Sequence, residues 1–482
     1  MDFFSVHKAW LNCRRRKRAT PQAQFYEAYL LDNLVEIAQE LASGSWQPRR
    51  PVCFIVNKPK TREIHAAHYR DRVVHHLLVP KLEQLYEPIF IHDLYSNRPG
   101  KGLHAAVKRL RHFMRSVSRT KGQSFFLQLD VKNFFNSVDR RVVFSLLQNR
   151  LRKAVRQGKI TEQEAVFCRD ISHVILRQDV GREAYLAAST QEIACVPSHK
   201  RLINAGRDKG LPIGNLTSQF FANVYLNELD QFVKHELKCR HYLRYVDDFI
   251  LLHADPEQLE IWKAAIIRFL AEHLFLELKQ PRILRPVQSG ADFLGYIVRP
   301  NYLLVRRRVI GNLWERLARF QQQWITGSNE QGWTIRLLPE PREQLRSVLA
   351  SYFGHFQHAS HCRLVRRIFT RFLWLSCLFS LFGDRLVPLW QPIDVSGYKS
   401  QQRFFRRTFP HARIDIQCGC FYDRLPVPAR QQEKPASLRC SVSKVTVRQQ
   451  GYLKRGLRRR AVEAIIIPPF SQTGVKLCEP LL

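Results

Sequence analysis

The sequence contains no stretch that is long and apolar enough to cross a membrane. A spanning helix needs about 18–20 consecutive apolar residues, whereas the longest apolar run, FLWLSCLFSLF at 372–382, is better suited to a buried helix. Residues 1–10 also lack the basic start, apolar middle and small-residue end of a secretion signal. We therefore expect a cytoplasmic protein with no membrane partner.

Cysteine pairs at zinc-binding spacing are missing as well. The eleven cysteines are scattered, and no CxxC pair occurs. Cys418 and Cys420 form a CxC, but no second pair completes a zinc site. The sequence therefore predicts reduced thiols and argues against a structural zinc site.

Acidic residues are scarce relative to basic ones. The 482 residues include 77 Lys and Arg against 41 Asp and Glu, which gives a formal net charge of +36. Such a charge repels itself in a compact state unless a polyanion neutralises it. Nucleic acid is the expected polyanion. A hydrophobic content of 45% indicates a globular chain, and its length allows several domains.

Hydrophobic periodicity predicts an α+β fold with an antiparallel sheet. The expected elements of the first half are a helix from 21 to Gly44, a hairpin at 46–65, helices at 70–86 and 103–118, a buried strand at 124–135 and a helix at 140–178. The loop GLPIGNLTSQ (210–219) is followed by a helix that Thr217 or Ser218 is expected to cap. The remaining expected elements are a hairpin around YVDD (245–248), a helix at 256–273, strands at 292–305 and a helical block at 342–382. A separate basic segment, 395–482, follows.

The stretch RYVDDFILLH (244–253) places Asp247 and Asp248 at the tip of an apolar hairpin. On its own, such a pair is typical of a turn. Asp130, however, ends the apolar strand in FFLQLDVKNFF, and a strand packed beside the hairpin would bring it to Asp247. Three converging carboxylates repel one another unless a cation neutralises them. Oxygen ligands suit Mg²⁺, and two such ions can clamp a phosphoryl transfer.

The motifs around these acids resemble those of bacterial reverse transcriptases. LDVKNFF, the loop that ends at Ser218, and YVDD resemble the palm motifs. The further resemblances are TREIHAAHYRDRVVHH (61–76) to the fingers, DLYSNRPGKGLHAA (93–106) to the next block, DFLGYIV (292–298) to the primer-grip hairpin and LASYFGHFQHA (349–359) to a thumb helix. The resemblance implies a right-hand polymerase. Its expected parts are an N-terminal basic arm and helix (1–45), fingers and palm (46–300), a helical thumb (301–390) and a basic C-terminal extension (395–482).

The loop IGNLTSQ (213–219) is similar to that of the reverse transcriptases of diversity-generating retroelements, whereas intron and retron enzymes usually have QG…SP. This resemblance implies an RNA-directed DNA polymerase that copies a template RNA into cDNA with errors at adenines. It also implies dNTP substrates, an RNA/cDNA duplex and a small basic accessory protein oligomer as partners.

Two other functions stay open. One is a reverse transcriptase of another bacterial class, in phage defence or similar to group II intron enzymes; the lack of HNH-like Cys pairs argues against the intron role. The other is a catalytically inactive polymerase scaffold that binds RNA, against which the intact acids argue.

The resemblance also implies roles for individual residues around the metal. Asp130 and Asp247 should bind two Mg²⁺ ions, and the Val131 carbonyl can add a ligand. Asp248 should assist or position, unless it is only a turn residue.

The nucleotide site is expected next to these acids. Arg62, with Lys60 or Lys58 as helper or substitute, should bind the triphosphate because guanidinium forks match phosphate oxygens. Phe135 should act as the steric gate against a ribose 2′-OH, unless it packs in the core as one of Phe134 and Phe135 must.

Ser218 and Gln219 should line the same pocket, with Ser218 also a capping candidate. Lys279 or Arg282 should protonate the leaving pyrophosphate, and Lys279 is favoured because the pKa of Arg exceeds about 12. The basic residues expected to contact nucleic acid are Arg98, Lys101, Arg306, Arg307, Arg308, Arg363, Arg366 and Arg367.

Overall fold

The computed structural model of the chain describes residues 2–15, 17, 20–57, 60–328, 332–337, 339–382, 385–389, 403, 414–418, 421–425, 444–451 and 460–467. These residues fall into two units, Met1–Ala291 with Arg299–Asn301, and Asp292–Val298 with Tyr302–Leu482. Among the described helices, none combines the length and the apolar character needed to span a bilayer.

The first unit is a mixed helix and sheet structure. Its helices are α1 (Phe3–Arg14), α2 (Pro21–Ala28), α3 (Leu30–Ser43), α4 (Tyr69–Tyr86), α5 (Leu103–Lys121), α6 (Phe134–Ser137), α7 (Arg140–Arg156), α8 (Glu162–Arg177), α9 (Val180–Glu183), α10 (Thr190–Ala194), α11 (Leu216–Gln231) and α12 (Pro256–Leu274). Its strands are β1 (Val52–Val56), β2 (Arg62–Ala66), β3 (Phe125–Asp130), β4 (Tyr185–Leu186), β5 (His241–Tyr245), β6 (Asp248–His253) and β7 (Ile283–Pro286).

A four-stranded antiparallel sheet with the order β5-β6-β3-β7 forms the centre of this unit. Apolar residues fill both β3 and β6, and 249–252 are buried on both faces of the sheet. Helices α5 and α12 contact these strands. The predicted antiparallel sheet, built from the strand at 124–130 and the YVDD hairpin, is therefore confirmed.

A second, three-stranded sheet has the order β2-β1-β4. Strand β2 is bonded to the loop before α11, since His65 N–H donates to the Ile213 carbonyl at 2.9 Å and Ala67 N–H donates to Asn215 Oδ1 at 3.0 Å. Between them, Gly214 has φ +122, and a Cβ there would lie 2.9 Å from Ile64 Cγ2. This loop conformation therefore requires glycine.

Three predictions for the first unit are wrong in detail. Asn215, not Thr217 or Ser218, occupies the N-cap of α11, and its side chain bonds Ala67 instead of the helix. The helix predicted from 21 to Gly44 divides into α2 and α3 at Tyr29, which has non-helical φ −122 and ψ 44. The helix predicted at 140–178 is interrupted before α8, where Thr161 forms a capping box.

The expected N-terminal arm also begins with a helix. Val6, Ala9, Trp10 and Cys13 recur at helical spacing and are buried, and α1 packs against α3 and α4. Part of the basic run that follows, including residues 16, 18 and 19, lies outside the described residues.

The second unit combines small sheets with helices. Its elements are β8 (Ala291–Phe293), β9 (Tyr296–Val298), β10 (Leu303–Val305), α13 (Arg307–Trp324), β11 (Ile325–Ser328), β12 (Gly332–Leu337), α14 (Pro339–Phe356), α15 (Cys362–Arg371), α16 (Leu375–Leu378), β13 (Phe379–Phe382), β14 (Arg385–Pro388), β15 (Ile414–Cys418), β16 (Phe421–Leu425), β17 (Lys444–Gly451) and β18 (Arg460–Ile467). Leu317, Leu349 and Ile368 join α13, α14 and α15 in one core.

Two expectations fail in this unit. The run FLWLSCLFSLF forms only the short helix α16 and then strand β13, because an apolar run alone does not distinguish helix from strand. The segment expected to be a separate basic extension contributes β15 to β18 to a sheet with β11 and β12, in the order β11-β12-β18-β17-β15-β16. Its other residues lie outside the described part of the chain, apart from Arg403.

Candidate active site

The pairing of β3 with β6 brings the three predicted acids together. Asp130 lies directly opposite Asp248, and opposite residues of antiparallel strands lie side by side on one face. Val131 N–H donates to the Asp247 carbonyl at 3.3 Å, and the charge of Asp130 acts on the carboxyl group of Asp247. The prediction that a neighbouring strand carries Asp130 to the Asp pair is confirmed.

The environment of Asp247 favours a proton or a cation. Burial and the charge of Asp130 raise the pKa of Asp247 to about 6, although Arg62 opposes this shift. Asp248 has a different environment, because Gln128 Nε2 donates to its Oδ1 at 3.2 Å. A buried carboxyl group beside a second one is stabilised when a cation binds between them, and carboxylate oxygens are hard ligands, so these residues fit a divalent cation.

A cavity of about 840 Å³ adjoins Asp130. Its lining includes Lys60 and Arg62 from the start of β2, Val131, Phe135, Ile213, Lys279 and Arg282. Arg62 and Lys60 are exposed, as cations that meet a soluble anion must be. Lys58 lies outside the described residues.

The structure separates two pairs of alternatives beside Asp130. Phe134 is 2% exposed and belongs to the core, whereas Phe135 is half-buried and lines the cavity. Lys279 Nζ lies 3.4 Å from Asp130 Oδ2, and its backbone N–H donates to the Asp130 carbonyl at 2.8 Å. Arg282 lines the cavity as well, but the contact with the acid belongs to Lys279.

The YVDD turn has an unusual backbone. Val246 adopts φ +57, a region that a β-branched residue rarely occupies. Arg244 stabilises this turn from below, since its Nη1 donates to the Val246 carbonyl at 2.9 Å. Arg244 is in turn fixed by Asp230 through bonds of 2.8 and 2.6 Å, with both side chains fully buried.

Two polar side chains complete this arrangement, which we call the Arg244 network (Ser96, Asn223, Asp230 and Arg244). Ser96 Oγ accepts from Val246 N–H at 2.9 Å, and Asn223 Nδ2 donates to the Ser96 carbonyl at 3.0 Å. No sequence motif pointed to these residues. The available signal was a charged residue inside each of two apolar elements, Asp230 in α11 and Arg244 in β5, because buried charges occur almost only in pairs.

Some predicted site residues lie elsewhere or have other partners. Ser218 is buried and lines a separate cavity of about 570 Å³, while Gln219 is half-buried in the first turn of α11. The Arg98 side chain is only 7% exposed, pairs with Glu87 at 2.7 Å and donates to two backbone carbonyls. Arg98 is therefore a structural residue and not a phosphate contact as expected. Lys101 Nζ donates to the backbone carbonyl of His92.

The cations expected in the second unit lie on its helices. Arg306 pairs with Asp292 at 2.9 Å, so its charge is partly neutralised. The others, Arg307 and Arg308 at the start of α13 and Arg363, Arg366 and Arg367 on α15, are exposed. Arg367 lies over the Trp314 ring at 5.7 Å.

A central antiparallel sheet that carries paired acids beside a cavity lined by Arg62 and Lys279 is the arrangement expected of a right-hand polymerase. The chain belongs to the reverse transcriptase family, because the family model "Reverse transcriptase (RNA-dependent DNA polymerase)" matches residues 55–298, just over half of the chain. It is thus an RNA-directed DNA polymerase, a nucleotidyltransferase.

Curated relatives support this assignment. Protein YkfC of Escherichia coli K12 is 22% identical over 329 residues, which cover 61% of this chain and 78% of that protein. The group II intron-encoded protein LtrA of Lactococcus lactis subsp. cremoris is 24% identical over 205 residues, 42% of this chain and 28% of LtrA. An uncharacterized 91 kDa protein in the cob intron of Schizosaccharomyces pombe is 23% identical over 42% of this chain and 21% of its own length. The chain thus spans less than a third of these two intron proteins.

Among solved structures, telomerase from Candida albicans in complex with a fragment of telomeric RNA aligns over 75% of this chain and 59% of that chain. The TM-score is 0.36 and the identity 12%. A score this low adds nothing to the family assignment.

Replacing Asp230 by Asn should weaken the Arg244 network. The change leaves the buried Arg244 charge unpaired, and breaking a buried ion pair typically costs about 3–5 kcal/mol. Urea unfolding should show this loss, and DNA synthesis should require more divalent cation for half-maximal rate. Glu236→Gln, an exposed neutralisation nearby, is the matched control and should change stability by less than about 0.5 kcal/mol. An Asp230→Asn protein as stable as this control would contradict the role of the pair.

The raised pKa of Asp247 predicts the direction of a pH effect. A carboxyl group whose pKa is higher in the folded than in the unfolded chain holds its proton more tightly when folded, so its ionisation opposes folding. Metal-free protein should therefore lose stability as pH rises between 3.8 and about 6. Thermal unfolding in EDTA at pH 4.5 and 7 should show a larger loss for wild type than for Asp247→Asn. Identical pH profiles would contradict the assignment.

Proposed function

We propose that the chain copies a template RNA into cDNA and that Asp130 and Asp247 hold the two Mg²⁺ ions of the reaction. The observation that supports this proposal is the strand register that brings Asp130 to the YVDD turn, beside a cavity lined by Arg62 and Lys279. When bound, Mg²⁺ neutralises charge on the attacking and leaving oxygens. Asp248 positions this end of the sheet, and the Val131 carbonyl supplies a further ligand.

The cavity residues divide the remaining work. Arg62, with Lys60 nearby, binds the triphosphate of the incoming dNTP through its guanidinium fork. Lys279 gives a proton to the leaving pyrophosphate, as an ammonium group can and a guanidinium cannot readily do. Phe135 excludes a ribose 2′-OH because its ring lies at the cavity wall.

The exposed arginines of the second unit, Arg307, Arg308, Arg363, Arg366 and Arg367, contact the phosphates of the RNA/cDNA duplex in this proposal, with Arg306 more weakly engaged. Each phosphate contact should add about 0.9 to the slope of log affinity against log salt on a B-form duplex. The formal charge of +36 is consistent with a polyanionic partner.

We further propose that the enzyme is of the diversity-generating kind, with errors concentrated at template adenines and a small basic accessory protein oligomer as partner. Support comes from the loop IGNLTSQ (213–219). Its Ile213 lines the cavity beside Asp130, so the loop contacts the space where a nascent base pair would form. In this proposal Gln219 acts on that pair from the first turn of α11, and Ser218, which lines a separate cavity, contributes only through the position of the loop.

A second candidate function has its own support. Relatives include proteins named as group II intron-encoded, which favours a faithful reverse transcriptase of the intron-like class. The two functions differ in the accuracy of copying.

Sequencing the products of RNA copying should decide between them. Purified chain, primed RNA, Mg²⁺ and dNTPs should yield cDNA with substitutions clustered at template adenines. Asp247→Asn removes one metal-binding charge without changing shape, so it should abolish synthesis while RNA binding persists. Uniform, rare errors would favour the intron-like class. Wild-type synthesis by Asp247→Asn would reject the two-metal assignment itself.

Replacing Phe135 by Ala should admit ribonucleotides. Removal of the ring opens the cavity wall where a 2′-OH would lie, so rNTP incorporation relative to dNTP should rise by at least tenfold, equivalent to about 1.4 kcal/mol of lost discrimination. Phe134→Ala is the contrasting variant: it should lower stability by about 3–5 kcal/mol as a core truncation and leave sugar selectivity unchanged. Equal selectivity in wild type and Phe135→Ala would exclude the gate.

A further inference from the structure

Three side chains of types that can bind metal meet on one face of the β1–β2 hairpin, and none of them is among the acids of the central sheet. Cys53 lies opposite His65 in the strand register, and Glu63 precedes His65 by two residues, which places it on the same face. One ligand atom from each residue lies within 4.8 Å of the other two. Their exposures are 0% for Cys53, 7% for Glu63 and 2% for His65.

Protein contacts orient this cluster without saturating it. Leu202 N–H donates to Glu63 Oε2 at 2.7 Å, and Arg201 Nε lies 3.9 Å from the other oxygen, Oε1. Ligating carboxylates are commonly oriented by such outer contacts. The ring nitrogen of His65 approaches Glu63 Oε2 only to 4.0 Å, too far for a hydrogen bond. A carboxylate, an imidazole and a thiol are thus buried close together, and the 4.0 Å between the first two leaves room for one cation to meet all three.

We propose that Cys53, Glu63 and His65 bind one Zn²⁺ ion. Thiolate sulfur, imidazole nitrogen and carboxylate oxygen are all ligand types of zinc, whereas a thiolate excludes Mg²⁺ as the preferred ion. Tetrahedral bonds of about 2.0–2.3 Å place ligand atoms about 3.5 Å apart. Since the three atoms already lie within 4.8 Å, side-chain adjustments of about 1 Å close the site.

The charges and protons of this step balance. The Cys53 thiol loses its proton to solvent, and the resulting thiolate together with the Glu63 carboxylate neutralises the two charges of the ion. Burial lowers the pKa of His65, so its imidazole is neutral and ready to ligate. Burial, with Glu63, raises the pKa of the Cys53 thiol to about 11, so without metal the thiol stays protonated.

The site would have a structural effect on the nucleotide cavity. Glu63 directly follows Arg62, and both Arg62 and Glu63 line that cavity. An ion held by β1 and β2, with Glu63 also bonded to Leu202, fixes the base of the hairpin from which Arg62 projects. This inference uses only the geometry of the hairpin and does not depend on the proposed polymerase type.

Metal analysis of the full chain tests the proposal. The protein is purified without a histidine tag, incubated with ZnSO₄ and desalted, and the expected result is about one Zn²⁺ per chain. Cys53→Ser and His65→Ala should lose it. Cys168→Ser, another buried cysteine, and the double variant Cys418→Ser with Cys420→Ser should keep it. Co²⁺ in place of Zn²⁺ should give a thiolate charge-transfer band that Cys53→Ser lacks.

A measurement on wild-type protein keeps the test decisive if the variants fail to fold. Zinc should protect Cys53 from alkylation by iodoacetamide, as followed by peptide mapping, and should slow tryptic cleavage after Lys60 and Arg62 several-fold. Failure of wild-type protein to retain zinc, or equal alkylation of Cys53 with and without zinc, would overturn the proposal. Zinc retained by Cys53→Ser and lost by the Cys418 and Cys420 variant would place the metal at the other cysteines and equally overturn it.

Discussion

The buried ion pair between Asp230 and Arg244 is the interaction on which the active-site geometry depends. The turn above it combines a valine in the left-handed region with carboxylates that repel one another, and both features favour relaxation of the backbone. Arg244 is fully buried below the turn, and two hydrogen bonds to Asp230 fix the orientation of its guanidinium group. Its remaining donors are therefore available to the Val246 carbonyl. The chain thus uses one buried ion pair to position the turn that carries Asp247 and Asp248.

Much of this arrangement could be predicted from sequence. Alternating and continuous apolar residues identified β3, β5 and β6, and acids at the ends of such strands are conspicuous because a charge interrupts the apolar run. The sequence could not show which of Phe134 and Phe135 is buried and which lines the cavity. Two adjacent rings in a bend point in different directions, and their directions depend on how the surrounding residues pack. Likewise, the charge of Arg98 suggested a phosphate contact, but sequence does not reveal that Glu87 and nearby carbonyls occupy its donors.

The Cys53, Glu63 and His65 cluster shows a different limit. Zinc motifs are recognised by pairs of ligands close in sequence, whereas these ligands come from two strands of a hairpin and become neighbours only through register. The acids of the central sheet share this property, because Asp130 and Asp247 are remote in sequence. They were still found, since Asp130 ends a strand and Asp247 lies in the turn of a hairpin, whereas Cys53 and His65 lie within strands and are ordinary residues of a buried face.

Two hydrogen bonds, from His65 and Ala67, join the β1–β2 hairpin to the loop at 213–215, and Gly214 packs closely against Ile64. These segments are therefore expected to move together. Arg62 belongs to the hairpin and Ile213 to the loop, and both line the same cavity. A displacement of the hairpin toward an anion would therefore also move Ile213 and the part of the cavity wall that it forms. The position of the Arg62 guanidinium and the shape of the cavity beside Ile213 would then change together. A substitution that alters one of them should also alter the other.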